Sequence, residues 1–341
     1  MRLAYVSRSS GVHDRRFLDA WRRGGVEVLE SPLREGDDTA QLDRELRRFA
    51  PDVVQVGPVT SPGIEVARIW DGPLIATSWG FDLMDEAARD PGSREAAARV
   101  LRRADAVFVD NDAVSARARD LGAEPERIAS FPWGLSREWL DAPEPQPRAG
   151  VSVLSTRRHE DLYRVDDLVS AFEALAGSFP ELDLVLAASG SETARLRARV
   201  EKMGLSERVT FVGDLDALAL RAEYLRADVY VSTSSVDGTS ISLLEAMACS
   251  VPAFVTRIPG NAQWITDDTG WAFDVGDVEG LVALLRAWLQ DPTVRREAVR
   301  RAARARARVR ETADWDATVR RLPQLAERAI QRHRAKAGGG A

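Results

Sequence analysis

Five short runs in the second half of the chain constrain the fold most: "VSVLS" from 151, "LDLVLAAS" from 182, "RVTFVG" from 208, "ADVYVS" from 227 and "VPAFVT" from 251. Each is rich in β-branched residues, apolar throughout rather than alternating, and followed by a stretch long enough for a helix. A strand apolar on both faces has to be covered on both, which points to a parallel sheet flanked by helices. The first half repeats the rhythm with "RLAYVS" (2–7), "VEVLE" (26–30), "DVVQVG" (52–57), "PLIATS" (73–78) and "DAVFVD" (105–110). One-sided helical segments such as "DRRFLDAWRRGG" and "REAAARVLRRA" lie between these runs. "DAPEPQPRAG" (141–150) separates the halves and places three prolines two residues apart, a spacing that favours extended chain. The pattern predicts an α/β protein with two doubly wound parallel-sheet domains, 1–140 and 151–311, joined by a linker at 141–150. Two such domains form a cleft, and open α/β sheets bind ligands at the carboxyl ends of their strands.

Composition narrows the partners. A chain of 341 residues with 45% hydrophobic and 29% charged residues is an ordinary globular sequence, and a net charge of -6 argues against nucleic-acid binding as its main task. The single cysteine, Cys249, excludes an internal disulfide framework and any cysteine-built zinc site, and fits a reducing compartment. No apolar run reaches membrane-spanning length. The expected location is cytoplasmic, or peripheral on the inner face of the membrane.

"SSVDGTSISLLEAMACSVPAFV" (234–255) joins a strand end to an apolar helix. Gly238 allows close backbone approach, and Thr239, Ser240 and Ser242 are cap-forming residues. Free N–H groups and the positive helix end therefore point outward, a site suited to phosphate. Ser242 to Glu245 also fits a capping box, in which Glu245 bonds its own helix start and touches no ligand. Asp237, eight positions before Glu245, is not asked for by such a box and puts a second carboxylate at the same turn.

An acidic residue, seven intervening positions, a glutamate and then "AMACSVPAFVT" resemble the signature of retaining glycosyltransferases of the GT-B fold, glycosyltransferase family 4. "STRRHEDLYRVDDLVSAF" (155–172) is similar to that family's Arg/Lys segment, and "RVTFVGDLDALALRAEYLRADVYVS" to its base-binding loop, helix and strand. "PGNAQWITDDTGWAF" (259–273) resembles its glycine turn, "FPWGLSREWL" (131–140) the end of its first domain, and "TADWDATVRRL" the start of a closing helix (312–335) that crosses back to that domain.

The resemblance implies a hexosyltransferase moving sugar from a UDP- or GDP-sugar to a hydroxyl acceptor, be it a small molecule, a glycan or a lipid-linked group, with no cofactor required. It implies that Glu245 accepts hydrogen bonds from ribose, that Asp237 meets the transferring sugar, and that the backbone of Gly238, Thr239, Ser240 and Ile241 holds sugar and distal phosphate. Arg157 would clamp the diphosphate, with Gly190 and Leu215 as further substrate contacts. The lysine usual after the first arginine is absent, leaving Arg164, or Arg158, as the second cation. Asp237 stands where glutamate is usual, Ser250 where glycine is usual, and Gln263 where a second glutamate often lies.

In the first domain, Gly11 and His13 follow the first strand and are candidate substrate contacts, with an ordinary turn and a solvated histidine as the alternatives. "SWGFD" (78–82) resembles an acceptor-side segment in which Asp82 orients the acceptor; a plain turn is the alternative. Asp110-Asn111-Asp112 also spells the D-x-D of metal-dependent glycosyltransferases of the other fold type, and equally a turn or helix cap. The arginine-rich run 294–311 reads as a solvated helical face or as a membrane-surface contact. Two other functions stay open: a sugar-nucleotide epimerase of the same fold, and a non-catalytic nucleotide-sugar-binding subunit.

Overall fold

The computed structural model describes residues 1–34, 36–145 and 150–338. These form two compact units, one made of Met1–Pro132 together with the segment from Asp316 onward, the other of Trp133–Trp315. The first unit is built on β1 (Arg2–Ser7), β2 (Glu27–Pro32), β3 (Val53–Gly57), β4 (Leu74–Thr77), β5 (Ala106–Val109) and β6 (Ile128–Ser130), in the sheet order β2-β1-β3-β4-β5-β6. The second is built on β7 (Val151–Ser155), β8 (Leu182–Ala187), β9 (Val209–Gly213), β10 (Val229–Ser232), β11 (Ala253–Thr256) and β12 (Trp271–Phe273), in the order β12-β11-β10-β7-β8-β9. Every pairing within the two sheets is parallel. Both are doubly wound α/β sheets of the Rossmann-like kind, as the repeated apolar runs predict.

The central strands are buried on both faces: Val53, Val54 and Val56 of β3, and Val229, Tyr230 and Val231 of β10, are fully inaccessible. Helices cover both faces because each presents one apolar stripe. The helix Val165–Ala176, for example, buries Val165, Leu168, Val169, Phe172 and Leu175 in the core shared with β10 and the helix Val278–Gln290. Strand order reverses between β1 and β3 in one sheet and between β7 and β10 in the other. At such a point the following loops leave in opposite directions, opening a crevice at the carboxyl ends of the strands.

The chain enters the second unit at Trp133, ahead of the boundary expected at 140. Leu135, Trp139, Leu140 and Ala142 sit in that unit's core beside Leu154 and Tyr224, and this burial draws the segment in. Of the expected linker 141–150, residues 146–149 lie outside the described residues. The arginine-rich run falls on the helix Pro292–Thr312 and is less of a solvated face than its composition suggests. Arg301 donates to the carbonyl of Gly270, Arg310 to that of Leu140, and the buried Arg306 to that of Ala142 and to Glu144. Among the described residues no helix is long and apolar enough to cross a membrane.

The closing helix Leu322–Gly338 belongs to the first unit, where Leu322, Leu325, Ala326 and Ala329 are buried. Its charged anchor is Asp105, fully buried, whose carboxylate meets Lys336 at 2.8 Å, His333 at 3.2 Å and Arg103 at 3.4 Å, and accepts from the Leu74 amide at 3.1 Å. Removing one partner of a buried ion pair costs about 3–5 kcal/mol; Lys336 and His333 keep partial solvent contact, so the cost here falls at or below the lower end. Asp105→Ala is expected to lower stability by about 2–3 kcal/mol. It should also make the chain between 316 and 338 the first site of limited proteolysis, read by urea titration and mass spectrometry of the fragments.

Candidate active site

Two segments leave the second sheet at its point of reversal. Thr156 and Arg157 follow β7, and the loop from Thr233 to Ser240 follows β10 and feeds the helix Ile241–Ala248. Ser240 is the N-cap of that helix, its Oγ accepting from the Leu243 amide at 3.4 Å. The cap is therefore not Ser242, and Glu245, the fifth helical residue, stands too far along to close a capping box. Its Oε2 instead accepts the hydroxyl of Tyr224 at 3.1 Å. The capping-box reading of Glu245 is thereby corrected.

Arg157 is 8% exposed, and its buried Nε has no hydrogen-bond partner. Its Nη1 donates to Ser240 Oγ at 2.8 Å and to Ser242 Oγ at 2.7 Å, its Nη2 lies 2.7 Å from Asp237 Oδ2, and its guanidinium carbon lies 4.1 Å from the centre of the Tyr163 ring. Burial, the largest single influence, favours the neutral form, but Asp237 together with Tyr163, Tyr230 and Tyr224 outweighs it and holds the guanidinium above its ordinary pKa. Tyr230 donates to Ser242 Oγ at 3.0 Å, fixing the hydroxyl that Arg157 uses. Tyr224, also fully buried, touches Thr156 Oγ1 at 2.6 Å and the Ser242 carbonyl at 2.9 Å in addition to Glu245. Burial, and then the charge of Glu245, raise its pKa, so it remains a donor. Arg157, Asp237, Ser240 and Glu245 thus meet on one crevice wall, with Gly238, Thr239 and Ile241 between them in the chain. Arg158 points away: it is 60% exposed and 3.9 Å from Glu160, the opposed orientation expected of adjacent residues in extended chain.

Two glycines permit this packing. A Cβ on Gly260, in the short helix Pro259–Ala262, would lie 2.2 Å from the carbonyl oxygen of Gly238 and 2.5 Å from that of Asp237. Any other residue there would push the loop out of place. A Cβ on Gly190 would lie 2.3 Å from the His159 carbonyl oxygen, so Gly190 lets the loop after β8 support the loop carrying Arg157. The Glu192 amide donates to that same carbonyl at 2.8 Å. Sequence reasoning missed Tyr163, Tyr224, Tyr230, Ser242 and Gly260 as parts of the site. All lie in segments that carry the resemblance, but the tyrosines look like core residues in any pattern, and only for Gly260 did the resemblance point to a glycine turn.

Arg164 stays apart from this group. It caps the helix Val165–Ala176 with φ at 48°, and its guanidinium makes a two-pronged contact with Asp167 at 2.7 and 3.1 Å. Leu215 is half-buried in the turn between β9 and the helix Ala217–Arg226.

In the first unit, Gly11 is the N-cap of the helix Val12–Arg23 and donates its amide to Asp14 at 2.8 Å. The His13 ring meets Trp79 edge-on at 5.8 Å, and burial, with Arg16 nearby, lowers its pKa to about 4, leaving it neutral near pH 7. Asp82 is fully buried, accepting from the Val59 amide (2.7 Å), Ser78 hydroxyl (2.7 Å) and Trp79 amide (3.1 Å). Burial raises its pKa to about 6 despite these donors. Asn111 caps the helix Asp112–Asp120 through the Val114 amide at 2.8 Å and donates to Asp110, so the D-x-D run builds a helix start.

Comparison with known proteins agrees with this geometry. A family profile described as "Glycosyl transferases group 1" matches residues 142–306, the part that carries every second-unit residue of the site. A curated relative, the glycogen synthase of Mycobacterium tuberculosis (strain CDC 1551 / Oshkosh), is 28% identical over 293 residues, 82% of this chain and 69% of the relative. Among solved structures, Anabaena Alr3699/HepE in complex with UDP and glucose superposes with a TM-score of 0.78 at 15% identity, covering 96% of this chain and 99% of that one. Sucrose-phosphate synthase from Thermosynechococcus elongatus superposes with a TM-score of 0.81 at 18% identity, covering 97% and 99%. At these identities the superpositions speak for the fold, two Rossmann-like units of the GT-B type, while the sequence matches speak for the family. Residues 142–306 are thus similar to the group 1 glycosyl transferases, and the protein is a glycosyltransferase of the GT-B fold.

Proposed function

We propose that the protein is a retaining hexosyltransferase that takes its sugar from a UDP- or GDP-sugar and passes it to the hydroxyl of a small molecule, a glycan or a lipid-linked acceptor. The observation that carries this reading is the grouping of a buried guanidinium, a helix N-terminus and two carboxylates at the reversal point of the second sheet. In this reading Glu245 accepts hydrogen bonds from the ribose hydroxyls, a task that suits an acceptor-only carboxylate already oriented by Tyr224. Arg157 and the amides from Gly238 to Ile241 hold the diphosphate, and Asp237 takes the sugar hydroxyls. Arg164 serves as second cation only after releasing Asp167. Gly11, His13 and Asp82 belong to the acceptor side, with Asp82 acting through the turn it holds, since its oxygens are already engaged.

In the reaction the bond from the anomeric carbon to the phosphate oxygen breaks while the acceptor oxygen bonds to that carbon from the same face. The departing phosphate oxygen takes the acceptor's proton. Negative charge grows on the distal phosphate, where Arg157 and the helix N-terminus meet it without having to reorganise.

Three outcomes test the reading. Glu245→Gln keeps the volume and an acceptor for Tyr224, and is expected to weaken nucleoside diphosphate binding by about 1.5–3 kcal/mol, the scale of hydrogen bonds to charged groups; calorimetry on the folded variant checks it. Arg157→Ala is expected to cost roughly a hundred- to thousandfold in kcat with a modest rise in donor KM, and its residual product should keep the donor's anomeric configuration. An inverted product would exclude the retaining mechanism. Because protein groups meet the developing charge, turnover measured as nucleoside diphosphate release is expected to survive a chelator; strict dependence on added Mn or Mg would contradict this.

A further inference from the structure

We propose that Asp237 is an internal competitor for Arg157 and makes the site discriminate between the intact sugar donor and the spent nucleoside diphosphate. The inference rests on reading residues 237–245 as the donor site. The two protons of Arg157 Nη1 are committed to Ser240 and Ser242, and one face of the guanidinium is covered by the Tyr163 ring. Nη2 and the buried Nε, which has no hydrogen-bond partner, are the groups left for an anion, and a carboxylate from the same loop already lies 2.7 Å from Nη2. A diphosphate arriving there either displaces Asp237 or shares the cation with it. Both arrangements oppose anion binding, because two like charges at close range in a partly buried site repel, and the Asp237 side chain is only 19% exposed.

What offsets this opposition depends on the ligand. An intact nucleotide sugar brings hydroxyl donors, and a carboxylate released from Arg157 accepts from them in charge-assisted hydrogen bonds. A nucleoside diphosphate has hydroxyls only on its ribose, assigned to Glu245, and none beyond its terminal phosphate, which carries additional negative charge. Asp237 therefore disfavours the product more than the donor. Once the sugar has left, the carboxylate loses its new partners and returns to Arg157, which promotes release of the diphosphate.

The test compares the full-length wild-type protein with Asp237→Asn, Asp237→Ala, Asp237→Glu and Glu245→Gln by calorimetry. The probes are inorganic diphosphate, UDP, GDP, UDP-glucose and GDP-mannose. Asp237→Asn is expected to bind inorganic diphosphate and the nucleoside diphosphate about tenfold more tightly, the effect of losing one repulsive contact, while affinity for the nucleotide sugar stays the same or falls. Asp237→Glu, which keeps the charge, should remain within about threefold of wild type on this scale. If Asp237→Asn does not fold, Asp237→Ala decides in the same way. Unchanged or weaker diphosphate binding in a folded Asp237 variant overturns the proposal, as does equal tightening of donor and product. The donor-site reading is tested separately by Glu245→Gln, which should weaken UDP or GDP but not inorganic diphosphate. If that variant changes nothing while Asp237→Asn still tightens inorganic diphosphate, the ribose assignment fails and the competition stands.

Discussion

A guanidinium withdrawn from water loses several kcal/mol of solvation unless its charge and its N–H groups are met inside the protein. Arg157 meets this condition for its charge and for all but its buried Nε through two stretches of chain: the turn carrying Tyr163, six residues on, and residues 230–242, which supply Asp237, Ser240 and Ser242, with Tyr230 holding Ser242. Because the requirement is satisfied jointly, it fixes these segments relative to one another. The loop from Thr233 to Ser240 is held from the Arg157 side by an ion pair and from the opposite side by the backbone around Gly260. Thr233 and Ser235 add hydrogen bonds to carbonyls at 162–164, the turn that carries Tyr163. The site is thus rigid where charge is handled. Glu245, reached through Tyr224, is connected to the same frame by the Ser242 carbonyl.

The two sheets follow one plan and use their reversal points differently. In the second unit the crevice is lined by a cation and hydroxyl groups that charged ligands can exchange with. In the first, the equivalent region is closed up: Asp82 spends its carboxylate on Val59, Ser78 and Trp79, and Arg8 spends its guanidinium on Glu86 and the Ser61 carbonyl. His13, kept neutral by burial, presents an edge to Trp79 rather than a charge. The region in the second unit is electrostatically active, and that in the first is shaped mainly by packing.

The sheets were legible because fully buried parallel strands leave a strong apolar signal. "RLAYVS" coincides with β1, and the remaining runs fall within one or two residues of their strands apart from small shifts at the ends. The strands β6 and β12 were not legible: each is three residues long at a sheet edge, Ile128, Ala129 and Ser130 are all partly exposed, and the apolar Trp271–Phe273 is too short to stand out as a strand. At the site, Arg157, Asp237 and Glu245 could be read from spacing and resemblance. Their partners could not, since a tyrosine in a buried strand or helix looks the same whether it only packs or also aims its hydroxyl. The helix cap was ambiguous for a related reason, as Thr239, Ser240 and Ser242 are all able to cap and only the tertiary contacts select Ser240. Arg164, which the resemblance offers as a second cation, is paired with Asp167, three residues on, a partner that spacing alone does not reveal.

The second unit interrupts the first in sequence, leaving it after Pro132 and returning at Asp316. The two crossing segments bond to each other, the Leu135 amide to the Ala313 carbonyl at 2.7 Å and the Trp315 amide to the Leu135 carbonyl at 2.9 Å. During synthesis, therefore, the unit that begins first is completed last. At about 5–20 residues per second, its closing helix emerges roughly 10–40 s after its sixth strand. Until then, Asp105 waits in a nascent sheet without Lys336 and His333, and the surface that will receive Leu325 and Ala329 is open to water. The interrupting unit has its whole core by that time and can fold first, so the order of maturation runs opposite to the order of translation. A nascent chain stalled near residue 315 would carry a finished second unit and an unfinished first one, the state most exposed to chaperones and to aggregation through its uncovered apolar face.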